Sequence, residues 1–230
     1  MLETFTNTGA QRVTLAIFDL DNTLLNGDSD HAWGEFLIAR QLVNADQHQQ
    51  QNDFFYEQYM AGTLDIFAYQ EFVLSFLTQY DETALEQLHQ EFMTASIEPI
   101  ILPQGRQLLA QHREQGHFIM IITATNDFIT GPIANMLEVD HLIATQAEKI
   151  NGRYTGRITG TPSFQQGKVI RLQQWLDENG ESLDGAYFYS DSHNDLPLLQ
   201  QVSHPVAVDP DQTLATYARE HNWPVISLRD

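Results

Sequence analysis

Residues 13–25, Val-Thr-Leu-Ala-Ile-Phe-Asp-Leu-Asp-Asn-Thr-Leu-Leu, join a short apolar run to two closely spaced carboxylates. Val13 to Phe18 contains β-branched residues and neither Gly nor Pro, which predicts a strand buried on both faces. Alternate side chains of an extended segment point the same way, so Asp19 and Asp21 are expected together at the carboxyl end of this strand. In open α/β sheets, ligands bind at that end.

Two carboxylates at this spacing also occur outside ligand-binding edges of sheets. They could cap a helix or form a turn, or they could belong to a calcium-binding loop. A calcium loop of the EF-hand type needs Gly at its sixth position and Glu at its twelfth, and here those positions hold Leu24 and Asp30. The apolar residues Leu20, Leu24 and Leu25 favour a packed strand exit, which leaves the cap or turn as the alternative to a functional site.

The segment Asp19-Leu20-Asp21-Asn22-Thr23, preceded by a hydrophobic strand, resembles motif I of the haloacid dehalogenase (HAD) superfamily of phosphatases. This motif is fairly specific alone. It becomes strong evidence when the remaining three motifs of the superfamily follow it in order along the chain.

The composition fits one domain of ordinary size with a smaller insert, since 42% of the 230 residues are hydrophobic. The 11 basic and 31 acidic residues give a formal net charge of −20, which argues against nucleic acid and anionic membranes as partners. A phosphate-binding site would therefore need local positive charge. The absence of Cys excludes disulfides, thiol catalysis and cysteine metal sites.

We expect no signal peptide at the beginning of the chain. Residues 1–11 lack the basic and apolar regions of a signal peptide. No apolar run approaches the ~18 residues that suggest a membrane span. We therefore expect a cytoplasmic protein with a small phosphorylated metabolite as its partner.

Apolar residues between about 28 and 96 recur at helical spacing, which predicts an insert of roughly four helices. We interpret its aromatic stripes as the core of the insert, with a ligand-binding box as the alternative. Ser29 or Asp30 is expected to cap the first helix. Outside the insert, strands alternate with helices, which predicts an α/β fold: a Rossmann-like, mainly parallel sheet with helices on both faces.

The predicted domain organisation follows from this pattern. Residues 1–26 and 98–230 form the α/β core domain, and residues 27–97 form a helical cap domain inserted after the first core strand. The cap is expected to lie over Asp19, because the insert leaves the sheet at that edge.

The second predicted strand, Phe118 to Ile122, ends at Thr123. A hydroxyl and the backbone N–H groups of the following turn, beginning at Ala124, can hold a phosphate oxygen. A Thr at a strand end can instead be a simple cap, which is the alternative. The segment is similar to motif II of the HAD superfamily, a hydrophobic strand that ends in Ser or Thr.

Lys168 stands at the start of a predicted helix, where the helix dipole disfavours a cation. This anomaly suggests that it neutralises a phosphate oxygen and the charge of a nucleophile. It matches the motif III lysine, and Lys149 is the only other lysine in the chain. The alternative is a solvated surface lysine.

Residues 188–197, Phe-Tyr-Ser-Asp-Ser-His-Asn-Asp-Leu-Pro, resemble motif IV, with Ser190 in place of the usual Gly. A strand delivers Asp191 to its carboxyl end, and Asp195 follows one turn later. Hard oxygen ligands at two strand ends suit Mg²⁺. We interpret His193 as a non-ligand, because no second His lies near it in the sequence.

The four motifs cover nearly the whole chain in the right order, and the resemblance implies phosphomonoester hydrolysis through an aspartyl-phosphate. Asp19 would be the nucleophile, and Asp21 the general acid and base. Mg²⁺ would be bound by Asp19, the backbone carbonyl of Asp21, and Asp191, with Asp195 in support. The residues expected around the phosphoryl group are Thr123, Ala124, Lys168 and Asn194.

The helical insert after motif I resembles the phosphoserine-phosphatase-like branch, whose phosphoserine enzymes use a cap arginine for the substrate carboxylate. The comparable residues 62–72 contain no Arg and place Glu71 nearest that position. A carboxylate facing Glu71 would be poorly bound, so we expect a substrate with an amine and no carboxylate. Arg40, the only Arg of the insert, is the alternative contact.

Residues 29–33 and 123–126 further resemble a bacterial subgroup that includes histidinol-phosphate phosphatases, which makes histidinol phosphate the expected substrate. Three acidic residues are the expected partners of its amine: Asp28, Glu35 and Glu71. The alternatives are a phosphoserine phosphatase, a phosphotransferase or mutase on the same fold, and a non-catalytic HAD-like binding protein.

Overall fold

A seven-stranded sheet organises residues 13–229, the part of the chain that the computed structural model describes. Its strands are β1 Leu15–Phe18, β2 Phe118–Asn126, β3 His141–Ile150, β4 Arg153–Thr159, β5 Tyr187–Ser190, β6 His204–Val208 and β7 Val225–Ile226. Their spatial order is β4-β3-β2-β1-β5-β6-β7. Every neighbouring pair is parallel except β3 and β4, which are antiparallel. The predicted mainly parallel α/β sheet is confirmed.

The helices complete the alternating pattern. Four lie between β1 and β2 before the helix that leads into β2, and the others separate the later strands. Their bounds are α1 Ser29–Ala39, α2 Ala45–Met60, α3 Ile66–Ser75, α4 Glu82–Phe92, α5 Pro103–Glu114, α6 Asp127–Met136, α7 Gln166–Asn179, α8 Leu196–Leu199 and α9 Gln212–Glu220. No helix within residues 13–229 is both long and apolar enough to cross a lipid bilayer.

Two of the expectations from the sequence concern residues outside this range. The predicted lack of a signal peptide concerns residues 1–11, and the predicted core domain starts at residue 1; both lie outside the described residues. The division into core and cap domains remains a prediction, although the four helices of the insert do lie between β1 and β2.

The register of the central strands places the predicted motifs at one edge. Phe18 pairs with Ile121 of β2 and with Tyr189 of β5, so β1 and β5 end together. β2 continues to Asn126, beyond its predicted end at Thr123, and its pairing with β3 shifts register between Ile122 and Asn126. Because all three strands are parallel, the residues at this level meet at the same edge of the sheet. Asp19, Thr123 and Asp191 therefore converge.

The two faces of β1 pack in different apolar clusters, because successive side chains point to opposite faces of the sheet. Leu15 and Ile17 pack with residues from α7, α8 and α9. Ala16 and Phe18 belong to a cluster that continues without a break into the helical insert through α1, α3 and α4. We call this second cluster the shared core.

Trp33 of α1 lies near the centre of the insert's part of the shared core. Its ring contacts Phe36, Phe76, Phe92 and Phe128 at centroid distances of 5.5, 6.0, 5.0 and 5.4 Å. The stripe on α1 and α4 is thus core, as expected. Phe55, Tyr56 and Tyr59 of α2 have a different environment, at the wall of a cavity.

The predicted cap of α1 is wrong by one or two residues. Asp28, and not Ser29 or Asp30, is the N-cap, since its side chain accepts the His31 N–H at 2.8 Å. The Ser29 N–H is instead bound to Asp21 at 2.7 Å. Asp30 is buried, with its carboxylate accepting from the Asn126 side chain at 3.3 Å. A tertiary contact therefore sets the start of the helix.

Candidate active site

Asp19 and Lys168 form a buried ion pair at the carboxyl edge of the sheet. Lys168 Nζ donates to Asp19 Oδ1 at 2.7 Å and to Asp195 at 2.8 Å. Asp19 is 7% exposed and Lys168 is 3% exposed, so Lys168 is not a solvated surface residue. A Cβ on Gly167 would lie 2.0 Å from the carbonyl oxygen of Pro162, so only glycine allows the start of α7 to bring Lys168 here.

Thr23 joins the first and last motifs. Its hydroxyl lies 3.5 Å from Asp19 Oδ2 and 3.2 Å from Asp191 Oδ1, and it accepts the Asp191 N–H at 3.1 Å. Thr23 is fully buried. It therefore fixes the spacing of the two carboxylates that follow β1 and β5.

Both carboxylate oxygens of Asp21 accept a hydrogen bond. Oδ1 accepts the Ser29 N–H at 2.7 Å, and Oδ2 accepts the Thr125 hydroxyl at 2.8 Å. Burial and the nearby charge of Asp28 raise the pKa of Asp21 to about 7, although these hydrogen bonds lower it. Asp21 is therefore held between the first turn of α1 and the end of β2.

Thr123 and Ala124 line the cavity above the sheet. The Thr123 hydroxyl oxygen accepts the Thr125 N–H at 3.2 Å, which leaves its hydrogen available for an oxygen in the cavity. Thr123 thus bonds to the backbone within β2 and also presents a donor to the cavity.

The loop after β5 contains several linked polar side chains. Asp195 accepts from the Ser190 hydroxyl at 2.7 Å as well as from Lys168, so the serine that replaces the usual glycine orients Asp195. Asn194 lines the cavity, and its Oδ1 accepts from Gln165 Nε2 at 2.9 Å. His193 Nδ1 lies 2.7 Å from Asp211 Oδ2, which engages it away from the carboxylates of the site.

The site holds more negative than positive charge. Burial raises the pKa of Asp19 to about 7, although Lys168 lowers it. Burial and then Asp19 raise the pKa of Asp191 well above its ordinary value. Burial opposes the charge of Lys168, yet Asp19 and Asp195 together raise its pKa. Clustered hard oxygens of this kind suit a divalent cation such as Mg²⁺.

Side chains alone do not complete a metal site. Within residues 13–229, no group of three or more His, Cys, Asp or Glu side chains has the geometry to hold a metal ion. A cation between Asp19 and Asp191 would therefore also need backbone oxygen and water, which agrees with the habit of Mg²⁺ to keep several waters.

The cavity above these residues has an aromatic and acidic wall supplied mainly by the insert. The rings are Phe55, Tyr56, Tyr59, Tyr69 and Phe164, and the acidic side chains are Asp28 and Asp30. Among all the lining residues, which belong to the described part of the chain, Lys168 is the only Lys or Arg. Three of the four aromatic residues of α2, Phe55, Tyr56 and Tyr59, therefore line a cavity, and the interpretation of all stripes as core is only partly right.

The three acidic residues expected to contact an amine are placed differently. Asp28 lines the cavity. Glu35 and Glu71 are exposed and are not among its lining residues, so the structure does not bring them to the site. Gln70 is buried in place of Glu71, and its Nε2 donates to the Ala124 carbonyl at 3.4 Å. Arg40 pairs with Glu91 and lies over the Phe36 ring, away from the cavity.

Three residues that line the cavity are not among the site residues predicted from the sequence: Asp30, Tyr59 and Thr125. Burial raises the pKa of Asp30 well above its ordinary value. The Tyr59 hydroxyl donates to Ser192 Oγ at 3.0 Å. A signal for Tyr59 existed, because Phe55 and Tyr59 are four residues apart and share one face of α2.

Residues 16–200 match the family model of the haloacid dehalogenase-like hydrolases, and the chain belongs to this family. A histidinol-phosphatase of Neisseria meningitidis serogroup C is 48% identical over 219 residues, which cover 94% of this chain and 99% of that relative. Together with the family match, this relative identifies the chain as an enzyme, a phosphatase of the HAD type.

Two solved structures have the same fold. A Bordetella pertussis protein of unknown function has a TM-score of 0.88 at 42% identity, covering 95% of this chain and all (100%) of that one. A substrate-bound phosphoserine phosphatase has a TM-score of 0.69 at 15% identity and covers 96% of each chain, a likeness of fold alone.

Proposed function

We propose that this enzyme is a Mg²⁺-dependent phosphatase that hydrolyses histidinol phosphate through an aspartyl-phosphate on Asp19. The observation that supports histidinol phosphate as the substrate is the chemical character of the cavity wall. It offers carboxylates and aromatic rings, and Lys168 is its only Lys or Arg among the described residues. A substrate with an amine, an aromatic ring and no carboxylate fits such a wall, and the Neisseria relative bears the name of that activity.

The first half-reaction replaces the ester bond with a bond to the enzyme. An Asp19 carboxylate oxygen attacks phosphorus, and the bond between phosphorus and the ester oxygen breaks. Asp21 donates its proton to the departing alkoxide, which leaves as the alcohol. A pKa of about 7 for Asp21, raised by burial, supports this role, since the protonated form is then present near neutral pH.

The second half-reaction releases phosphate. Asp21, now ionised, takes a proton from a water molecule that attacks the phosphorus of the aspartyl-phosphate. Inorganic phosphate leaves, and the Asp19 carboxylate is restored. A transferase on the same fold would differ only in the acceptor that attacks this intermediate, so free phosphate as the product separates the two.

The phosphoryl oxygens would be held by the hydroxyl of Thr123, the backbone N–H of Ala124, Lys168 and Asn194. The support for Lys168 is its contact with Asp19 at 2.7 Å, which puts its ammonium beside the nucleophile. The support for Thr123 is its place in the cavity, with its hydroxyl hydrogen free to donate.

Mg²⁺ would supply charge neutralisation for the transferring phosphoryl group. Asp19, Asp191 and the backbone carbonyl of Asp21 would hold it, with Asp195 in support. The contacts of Asp195 favour an indirect role, because its carboxylate already accepts from Lys168 and Ser190.

The amine of the substrate would face Asp28, and its imidazole would pack against the aromatic wall. A cation over an aromatic ring is favourable by ~0.5–2 kcal/mol, which adds to the contact with the carboxylate. Phosphoserine carries a carboxylate that would meet Asp28 and Asp30 without a basic partner, so it is expected to be the poorer substrate.

The test is the release of inorganic phosphate, with Mg²⁺, from histidinol phosphate, phosphoserine and p-nitrophenyl phosphate. The proposal expects a clear preference for histidinol phosphate and no turnover in Asp19→Asn. A preference for phosphoserine would overturn the proposed substrate and would leave the proposed mechanism unaffected. Equal turnover with and without a metal chelator would overturn the proposed dependence on Mg²⁺.

A further inference from the structure

We infer that Thr125 is the positioning residue of the proposed general acid and base: its hydroxyl fixes the direction in which Asp21 presents its proton. This inference rests on the proposed function. It concerns a residue that holds neither phosphate nor metal in the proposed reaction.

The geometry restrains Asp21 from two sides. Thr125 Oγ1 donates to Asp21 Oδ2 at 2.8 Å, and the Ser29 N–H donates to Oδ1 at 2.7 Å. Bonds to both oxygens fix the rotation of the carboxyl group as well as its position. Thr125 is itself buried near the end of β2, so its own side chain has little freedom.

The local fold does not need this hydroxyl. Asn126 caps α6 by accepting the Ile129 N–H at 3.2 Å, and the Thr125 N–H is bound to Thr123 Oγ1. Neither of these bonds uses the Thr125 hydroxyl, which donates to Asp21, a residue 104 positions earlier in the chain.

Asp30 is the other acidic group next to Thr125. Burial raises the pKa of Asp30 and a hydrogen bond from Thr125 lowers it, while Asn126 Nδ2 donates to Asp30 Oδ1 at 3.3 Å. The experiment must therefore separate an effect on Asp21 from an effect on Asp30, and the variant Asp30→Asn does so.

The orientation of Asp21 matters in both half-reactions, but its importance depends on the leaving group. An alkyl phosphate needs a proton on its departing oxygen, whereas p-nitrophenolate leaves without one. Water attack on the aspartyl-phosphate needs Asp21 with either substrate. Disturbing Asp21 alone should therefore spare the first half-reaction of p-nitrophenyl phosphate and slow the second.

The test compares Thr125→Val, which replaces the hydroxyl by a methyl group of similar size, with Thr125→Ser, which keeps the hydroxyl and loses the methyl group. We expect Thr125→Val to lower kcat for histidinol phosphate about 10- to 100-fold with KM within about threefold. Thr125→Ser should stay within about threefold of the unaltered enzyme. With p-nitrophenyl phosphate, Thr125→Val should show a rapid burst of one p-nitrophenolate per enzyme, followed by slow turnover.

Thr130→Val is the matched control. Thr130 is also buried, and its hydroxyl donates to the Asn126 carbonyl at 2.9 Å without reaching Asp21. It should lose stability and keep the kinetics of both substrates, which distinguishes loss of a buried hydroxyl from loss of Asp21 orientation.

Four outcomes would overturn the inference. One is unchanged kcat in Thr125→Val. A second is an equal loss of kcat in Thr125→Val and Thr125→Ser. A third is loss of the p-nitrophenolate burst in a folded Thr125→Val. The fourth is the same kinetic pattern in Asp30→Asn. Failure of the proposed function is separate, since it would appear as turnover in Asp19→Asn or as no phosphate release by the unaltered enzyme.

Discussion

The hydroxyl of Tyr59, near the end of α2, donates a hydrogen bond of 3.0 Å to Ser192 Oγ in the loop that follows β5. Two further bonds join the same places: the Tyr59 carbonyl accepts from Asn194 Nδ2 at 3.5 Å, and the Gly62 carbonyl accepts from Gln165 Nε2 at 3.4 Å. The end of α2 is thus attached to the loops that carry the third and fourth motifs.

We expect Tyr59→Phe to raise KM for histidinol phosphate about 2- to 10-fold with kcat within about twofold. The lost hydrogen bond is worth about 0.5–1.5 kcal/mol, and it favours the arrangement that encloses the substrate. Steady-state kinetics measure this. Tyr56→Phe is the control, because Tyr56 lies on the same helix and lines the cavity but is 63% exposed. Identical KM values in the two variants would contradict the expectation.

Asp28→Asn should lower kcat/KM for histidinol phosphate about 10- to 100-fold, because a charged contact with the amine is replaced by a neutral one. It should change kcat/KM for p-nitrophenyl phosphate, which has no amine, by less than about threefold. Asn is as good an N-cap as Asp, so α1 is retained.

Glu35→Gln and Glu71→Gln are the matched controls for Asp28, since both glutamates are exposed and outside the cavity. They are expected to leave kcat/KM unchanged for both substrates. A loss in Glu71→Gln comparable to that in Asp28→Asn would show that α3 turns toward the substrate during the reaction.

Lys168→Met should lower kcat by about 100-fold or more, because the phosphoryl charge loses its cationic partner. Without added metal, it should also destabilise the fold by about 3–5 kcal/mol, since Asp19 and Asp195 lose the partner of a buried pair. Urea denaturation and phosphate release measure the two effects.

Lys149→Met is the control for Lys168, as the only other lysine in the chain. Its ion pair with Glu82 is largely solvated, at 40% and 60% side-chain exposure, so a change of about 1 kcal/mol or less is expected. Equal destabilisation by the two substitutions would contradict the buried-pair argument.

His112 should make the protein less stable in mild acid. Its Nε2 lies 2.8 Å from the Tyr189 hydroxyl and its Nδ1 lies 2.8 Å from His117 Nδ1. Burial, and then the charge of His117, lower its pKa from 6.5 to about 4. Between those values the unfolded chain binds the proton and the folded protein does not, so the stabilisation present above about pH 6.5 is lost as the pH falls toward 4.

Urea denaturation at pH 7 and pH 5 tests the role of His112. The drop in the free energy of unfolding should be smaller in His112→Gln than in the unaltered protein by an amount on the order of 1–2 kcal/mol. His221→Gln, at an exposed position after α9, should keep the full drop. An unchanged pH dependence of the free energy of unfolding in His112→Gln would rule out His112 as the cause of the loss of stability in acid.

The chemical edge of the sheet was predictable because few rules determine it. Parallel strands end side by side, and residues directly after them must meet, which predicts the convergence of Asp19, Thr123 and Asp191 from the sequence. The sequence also indicated Lys168 through an unfavourable position at a helix start. The position of these residues follows directly from the parallel order of the strands, without any further assumption about side-chain packing.

The insert was less predictable, because helix phase depends on tertiary contacts. Asp65 caps α3, and the resulting phase buries Gln70 and exposes Glu71, a difference of one residue that spacing alone does not resolve. Likewise, Asp21 binds the Ser29 N–H and thereby shifts the cap of α1 to Asp28. A helical aromatic stripe also does not tell whether its face meets a core or a cavity.

The shared core includes residues of α1, α3 and α4, but none of α2 among the described residues, where Phe55 is the one buried side chain. We therefore expect α2 to move more readily than the other helices of the insert. Displacing α2 would break the bonds of Tyr59 and Gly62 and the ring contacts of Phe55 with Tyr69 and Phe72 of α3. The ring contacts of Trp33 involve no residue of α2 among those described. The amides of α2 should then exchange with deuterium faster than those of α1 and α4, and bound phosphate should slow them. Substrate would then enter and leave through movement of α2, while the other helices of the insert stay packed.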